Sequence, residues 1–243
     1  LPVGGWPPKG AGRRKTAVTI AAEAIRLRDR AGGTIACIVN TVDMATAVKA
    51  ELQKAVAGRH KILAPPVVEG DVELLVGRMR PYDVAELRRR RPGVLDLSGN
   101  PDVAFLVATQ VIEVGLDLDF SSMVTELASA TSLAQRAGRV NRVGARERSW
   151  ITVITPDAEV PPRGAPPYEQ VDLQHCLTWL RSITQEPGGL NPITCIAKPP
   201  PEARLPRAAL MPVEPWDGML LANTSLPLFA EPDLRLWLND SFD

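Results

Sequence analysis

The chain has 243 residues, 28 Lys and Arg against 28 Asp and Glu, 45% hydrophobic and 23% charged residues. That length accommodates two compact domains, and the balance is that of a globular protein rather than a disordered one. No apolar run approaches the ~18 residues of a membrane span, and the three scattered cysteines, Cys37, Cys176 and Cys195, form no C-x-x-C pair, which argues against a disulfide scaffold or a cysteine zinc site. The chain begins at Leu1 with no signal-type segment. It reads as a cytoplasmic fragment of a longer protein, with no membrane or metal site expected.

Along the chain, helix and strand signals alternate. Residues 16–30 carry apolar residues at helical spacing and stop at Gly32-Gly33. Ile35–Val39 is a short β-rich run. Val42–Ala57 reads as a helix with Met44, Val48 and Leu52 on one face. Leu74–Val76 is a short strand, and Pro81 opens a helix towards Arg91, because proline suits a first helical turn. Val103–Ala108 is a continuous apolar strand of the kind buried on both faces. Met123–Leu127 follows as a strand, Thr131–Val143 as a helix, Trp150–Thr155 as a strand and Tyr168–Glu186 as an amphipathic helix. This alternation predicts an α/β fold with a mostly parallel sheet flanked by helices.

The zero net charge conceals two unlike parts. Residues 1–150 hold 22 basic and 16 acidic residues, a balance of +6, whereas residues 151–243 hold 6 and 12, a balance of −6. Of the 23 prolines, 15 lie in 156–243. Both shifts place a boundary near Pro156. The organisation expected is a linker and incoming helix over 1–33, an α/β lobe over 34–155, and a small, irregular, proline-rich accessory region over 156–243.

Polar residues follow three strands: Asn40-Thr41, Gly77-Arg78 and Thr109-Gln110. Ligands of open α/β sheets bind at the carboxyl ends of strands, and small hydroxyls, amides and backbone N–H groups there suit phosphate oxygens without reading base identity. Residues 135–144 read Gln-Arg-Ala-Gly-Arg-Val-Asn-Arg-Val-Gly. If helical, they place Gln135, Arg139 and Arg142 on one face and Leu133, Arg136 and Val140 on another. A row of like charges is unfavourable alone and suits a polyanion, because guanidinium forks match phosphate geometry.

Gln135-Arg136-x-Gly138-Arg139-x-x-Arg142 resembles motif VI of superfamily 2 helicases. The run Val107–Phe120, which contains Thr109-Gln110-Val111-Ile112-Glu113-Val114-Gly115-Leu116-Asp117, resembles their motif V. Ile38-Val39-Asn40-Thr41 is similar to motif IV, and Gly77-Arg78-Met79-Arg80-Pro81-x-Asp83 to the stretch between, with Val76 where that pattern often has His. Four motifs in order over about 110 residues are specific where one would not be. The text from Ala108 through Phe120, then Thr125-Glu126-Leu127-Ala128, Ser132-Leu133 and the arginine motif, further resembles the helicase-nuclease of type I CRISPR interference.

That resemblance implies a RecA-like helicase C-terminal lobe of an ATP-dependent DNA helicase. Its cofactors would be ATP and Mg²⁺, bound mainly by a first lobe outside this chain. Its partners would be single-stranded DNA, that first RecA-like lobe, an HD nuclease domain and a guide-RNA surveillance complex. Arg139 and Arg142 match arginine fingers. Gln135 would contact ATP or the attacking water, and Asp117 the ribose or a finger. Asn40, Thr41, Arg78, Thr109 and Gln110 would hold the DNA backbone, and Arg136 either contributes or forms a salt bridge inside the lobe. A non-catalytic docking module derived from such a lobe, or another superfamily 2 helicase, is the alternative.

Other features are weaker. Gly10–Thr16 mimics a P-loop but has Lys9 and Arg14 where glycines are required; it reads instead as an exposed basic linker. Arg88–Arg91 is either a solvated helix end favoured by the helix dipole or a DNA-facing patch. His60 and His175 read as structural, and Trp216 and Trp237 as packing residues in the accessory region. The fragment alone is expected to be inactive.

Overall fold

In the computed structural model, the described residues are 1–3, 10–59, 71–77, 79–113, 115–157, 159–161 and 165–184. Arg78, His60, Cys195, Trp216 and Trp237 lie outside them. The elements in chain order are β1 (Pro2–Val3), α1 (Ala11–Ala31), β2 (Ile35–Ile38), α2 (Val42–Arg59), β3 (Val72–Leu75), α3 (Pro81–Arg90), β4 (Phe105–Ala108), β5 (Ser122–Glu126), α4 (Ala130–Ala137), β6 (Ile151–Pro156) and α5 (Gln170–Thr184). A 3₁₀ turn covers Gln110–Ile112.

The strands form one sheet in the order β1-β6-β5-β2-β4-β3, with every pairing parallel. Parallel pairing forces each return through a crossover, and the helices of those crossovers cover both faces. Strands β2, β4 and β5 are buried along their whole length; β2 and β4 read accordingly as continuous apolar runs, whereas β5 buries the polar residues Ser122, Thr125 and Glu126. Ile35, Cys37, Phe105, Val107 and Val124 join the core beneath α1 and α2, while Ala36, Ile38, Leu106, Ala108 and Met123 join the core beside Leu87 of α3 and Val140.

The segment read as linker and incoming helix is woven into this fold. The first strand pairs with β6, and α1 buries Ala17, Ile20, Ala24 and Leu27 in the main core. Residues 11–16, read as a linker, are therefore the first turns of α1. Lys15 and Thr16 lie inside that helix, and Thr16 is buried, so their backbone cannot cradle a phosphate as a P-loop does. The turn from α1 into β2 requires Gly33: it has φ +62°, and a Cβ there would come within 3.0 Å of the Ser121 Cβ.

The arginine run at the end of α3 is largely paired within the lobe. Arg89 meets Glu86, and Arg90 and Arg91 both reach Glu73. Cys37 and Cys176 are buried free thiols, each pushed up to about 12 by burial. At pH 8 such a thiol is about one part in ten thousand thiolate, and the thiolate is the reactive form. Both cysteines are expected to escape alkylation in the native protein and to react on unfolding, as read by peptide mass mapping.

Candidate nucleotide and nucleic-acid rim

Because β2, β4 and β5 run in parallel, their carboxyl ends share one edge of the sheet, and the residues after them converge there. Thr41 is exposed; its Oγ1 accepts the Met44 N–H at 3.2 Å at the start of α2, leaving the hydroxyl proton available as a donor. Thr109 is buried, and its Oγ1 accepts the Gly77 N–H at 3.4 Å, tying the ends of β3 and β4 together. Gln110 donates from Nε2 to the Asn40 carbonyl at 3.0 Å.

Asn40 is bonded within the lobe on three sides. Its Nδ2 donates to the Leu127 carbonyl at 2.8 Å, its Oδ1 accepts from Arg136 at 3.1 Å, and its backbone N–H reaches Glu126 Oε2 at 2.7 Å. The amide thus links the end of β2 to the residue after β5 and to Arg136. Burial pushes the Glu126 carboxyl above the ordinary carboxylate range, opposed by the Asn40 N–H and the charge of Arg136.

Arg136 is wholly buried, and each of its five N–H donors has a partner. Nε donates to Glu113 Oε1 at 2.8 Å. Nη1 donates to Thr125 Oγ1 at 2.8 Å and the Glu126 carbonyl at 3.2 Å. Nη2 donates to Asn40 Oδ1 at 3.1 Å and Tyr168 Oη at 3.0 Å. Glu113 also accepts from Ser132 Oγ at 3.0 Å. Of the two roles open to Arg136, the lobe-internal salt bridge is the one present. Tyr168 lies just before α5, not within a helix, in an isolated bridge with Ala165.

The helix expected over Thr131–Val143 stops at Ala137. Ser129 caps its start through Ser132 N. Beyond Gly138 the chain is captured by Phe120: Phe120 N donates to the Arg139 carbonyl and Asn141 N to the Phe120 carbonyl, both at 2.8 Å. Gln135, Arg139 and Arg142 therefore do not share a helical face. Gln135, still on α4, is half-buried. Arg139 leaves the helix and donates to the carbonyls of Ile112 and Glu113 at 3.2 and 3.1 Å. Arg142 leaves it too, and the two arginines still meet on one carboxylate. Asp117 Oδ1 lies 2.8 Å from Arg142 Nη2 and 3.7 Å from Arg139 Nη1, with the Asp117 side chain 66% exposed and that of Arg142 39% exposed.

Asp119, Asn141 and Arg146, not singled out from the sequence, brace this corner. Asp119 accepts the Arg142 N–H at 2.5 Å and Arg146 Nη1 at 2.6 Å, and Asn141 exchanges hydrogen bonds with the Arg146 backbone at 2.8 and 3.0 Å. The available signal was the N-x-x-G text Asn141–Gly144, a turn pattern inside an apparent helix.

This parallel sheet with helices on both faces, carrying paired arginines at its carboxyl edge, has the α/β fold of a RecA-like helicase C-terminal lobe. Residues 31–145 match the family model described as CRISPR-associated nuclease/helicase Cas3, C-terminal; this segment is similar to the C-terminal helicase lobe of Cas3 proteins. The putative CRISPR-associated nuclease/helicase Cas3 of Myxococcus xanthus is 38% identical over 84 residues, covering 35% of this chain and 11% of that protein. The CRISPR-associated endonuclease/helicase Cas3 of Escherichia coli is 29% identical over 136 residues, covering 53% of this chain and 14% of that protein. The crystal structure of T. fusca Cas3 with ATP superposes with a TM-score of 0.59 at 27% identity, over 80% of this chain and 23% of that one. The chain thus spans only a small part of the length of these relatives.

Proposed function

We propose that this lobe is the second motor half of an ATP-dependent DNA helicase or translocase acting in type I CRISPR interference. The observation that carries the reading is Arg142: among the described residues its half-exposed guanidinium is held only by the exposed carboxylate of Asp117, on a loop fixed to the core. A guanidinium so placed can leave Asp117 for the phosphates of ATP bound on a facing lobe and stabilise charge on the transferring phosphoryl group. Arg139 sets the second positive charge behind it, Asp117 orients both, and Gln135 is placed on the adjoining helix to reach ATP or the attacking water. ATP supplies the phosphoryl group, and Mg²⁺ is expected to accompany it on the first lobe.

The DNA backbone would follow the rim. Thr41 offers its hydroxyl directly, Thr109, Gln110 and Asn40 hold the rim in shape, and Arg78 joins them from sequence position alone. Structures of T. fusca Cas3 with ATP, ADP and AMPPNP, and a related chain in a CRISPR RNA-guided surveillance complex, support a nucleotide-binding motor delivered to DNA by such a complex. An HD nuclease domain and a cytoplasmic setting belong to the same proposal. No described helix is long and apolar enough to cross a membrane.

The test is a pair of purified proteins, this chain alone and the full-length protein. DNA-stimulated ATP hydrolysis is expected only from the second. Measurable turnover by the chain alone overturns the division of labour between lobes.

A further inference from the structure

The loop 139–146 holds its backbone and its functional side chain by separate means. Leu118 and Phe120 are buried in the core, so Asp119 between them is bolted in place, and its side chain is only 5% exposed. One carboxylate oxygen accepts the Arg142 backbone N–H and the other accepts the Arg146 guanidinium. Asn141, at φ +48°, turns the chain so that its amide closes a two-bond ring with the Arg146 backbone, and the Gly144 N–H returns to the Asn141 carbonyl at 3.0 Å. Phe120 fixes residues 139 and 141 on the near side. Every one of these bonds acts on the backbone around Arg142 or on Arg146. None touches the Arg142 guanidinium, which among the described residues rests on Asp117 alone.

Stabilising a transition state depends on donors already held where charge will develop. A long arginine on a loose loop would lose that advantage through its own freedom. We propose that Asp119, with Arg146 and Asn141, is the positioning latch of Arg142: a buried carboxylate that fixes the finger's backbone while leaving its head group exchangeable between Asp117 and a nucleotide phosphate. The proposal rests on the reading of Arg142 as an arginine finger. It places no atom of Asp119 on the nucleotide. Charge-assisted bonds of this kind are about twice as strong as neutral ones, so the carboxylate matters more than its hydrogen-bonding shape.

The experiment uses the full-length protein with saturating single-stranded DNA, comparing native, Asp119→Ala, Asp119→Asn, Arg146→Lys and Arg142→Ala. Asp119→Ala is expected to lower kcat about tenfold or more with KM for ATP nearly unchanged, as removal of an interaction made only in the transition state does. It is also expected to weaken binding of ADP with aluminium fluoride, a transition-state mimic, without weakening binding of ADP. Asp119→Asn and Arg146→Lys are expected to fall between native and Asp119→Ala, because each keeps part of the latch. An unchanged kcat in Asp119→Ala overturns the latch, and so does a kcat loss accompanied by equal loss of ADP binding, which marks a merely structural role. Should Asp119→Ala fail to fold, Asp119→Asn is judged by the same readouts. Native turnover in Arg142→Ala sinks the finger reading itself; loss there with none in the Asp119 variants sinks only the latch.

Discussion

Arg142→Ala in the full-length protein is expected to lower ATP turnover by about a thousandfold or more, which is the scale on which arginine fingers act and corresponds to roughly 4 kcal/mol of transition-state stabilisation. The effect should appear in turnover alone. Among the described residues, Arg142 is bonded only to Asp117 and Asp119 and shares no bond with the Thr109–Gln110–Asn40 set, so single-stranded DNA affinity should stay nearly native in a filter-binding or anisotropy titration. Folding should be spared as well, because the side chain is largely outside the core and exposed substitutions usually cost within about 0.5 kcal/mol. Arg142→Lys keeps the charge and loses the planar fork, so it should recover only part of the rate. Arg139→Ala is a less clean probe. Its guanidinium holds the Ile112 and Glu113 carbonyls, so its removal also loosens the loop after β4. Turnover at the native rate in Arg142→Ala would refute the finger assignment.

Arg136 carries the largest expected effect on stability. Arg136→Met, close in volume, should cost about 3–5 kcal/mol, because removing one partner of a buried pair strands the other. Glu113 would keep a carboxylate with a side chain only 9% exposed and no guanidinium opposite, and Asn40, Thr125 and Tyr168 would each lose a donor. Arg136→Lys should not rescue it: three donors on a point charge cannot serve five acceptors arranged for a planar fork. Tyr168→Phe should cost only about 1 kcal/mol, the loss of one hydrogen bond. Urea unfolding midpoints separate these cases, and a native midpoint for Arg136→Met would show that the network contributes nothing net.

The fold was legible where burial is complete. Ile35–Ile38 and Phe105–Ala108 are apolar at every position because helices lie on both sides, and an unbroken apolar run needs no knowledge of its partners. The helix over 131–143 was not legible in its true length. Its residues keep helical spacing to Arg142, and what ends it is Phe120, a partner some twenty residues earlier that local pattern cannot reveal. The arginines still gather, on the carboxylate of Asp117 rather than on a helical face. The same limit applies to Asn40 and Arg136. Position after a strand marked Asn40 as a rim residue, yet the direction of its amide is set by Leu127 and Arg136, 87 and 96 residues away. The P-loop mimic lacks the required glycines in the sequence, but its place in a packed helix followed only from the sheet that α1 covers.

Tyr168 lies 23 positions beyond the end of the segment that matches the helicase family, yet its hydroxyl completes the hydrogen bonding of that segment's most buried charge. The stretch that inheritance holds recognisable and the stretch that must melt together therefore have different borders. A fragment cut at residue 145 would keep all four motifs and lose β6, α5 and one of the five acceptors of Arg136. A piece that keeps the bonding of Arg136 complete has to include Tyr168, which makes the less recognisable sequence around that tyrosine part of what the recognisable segment rests on.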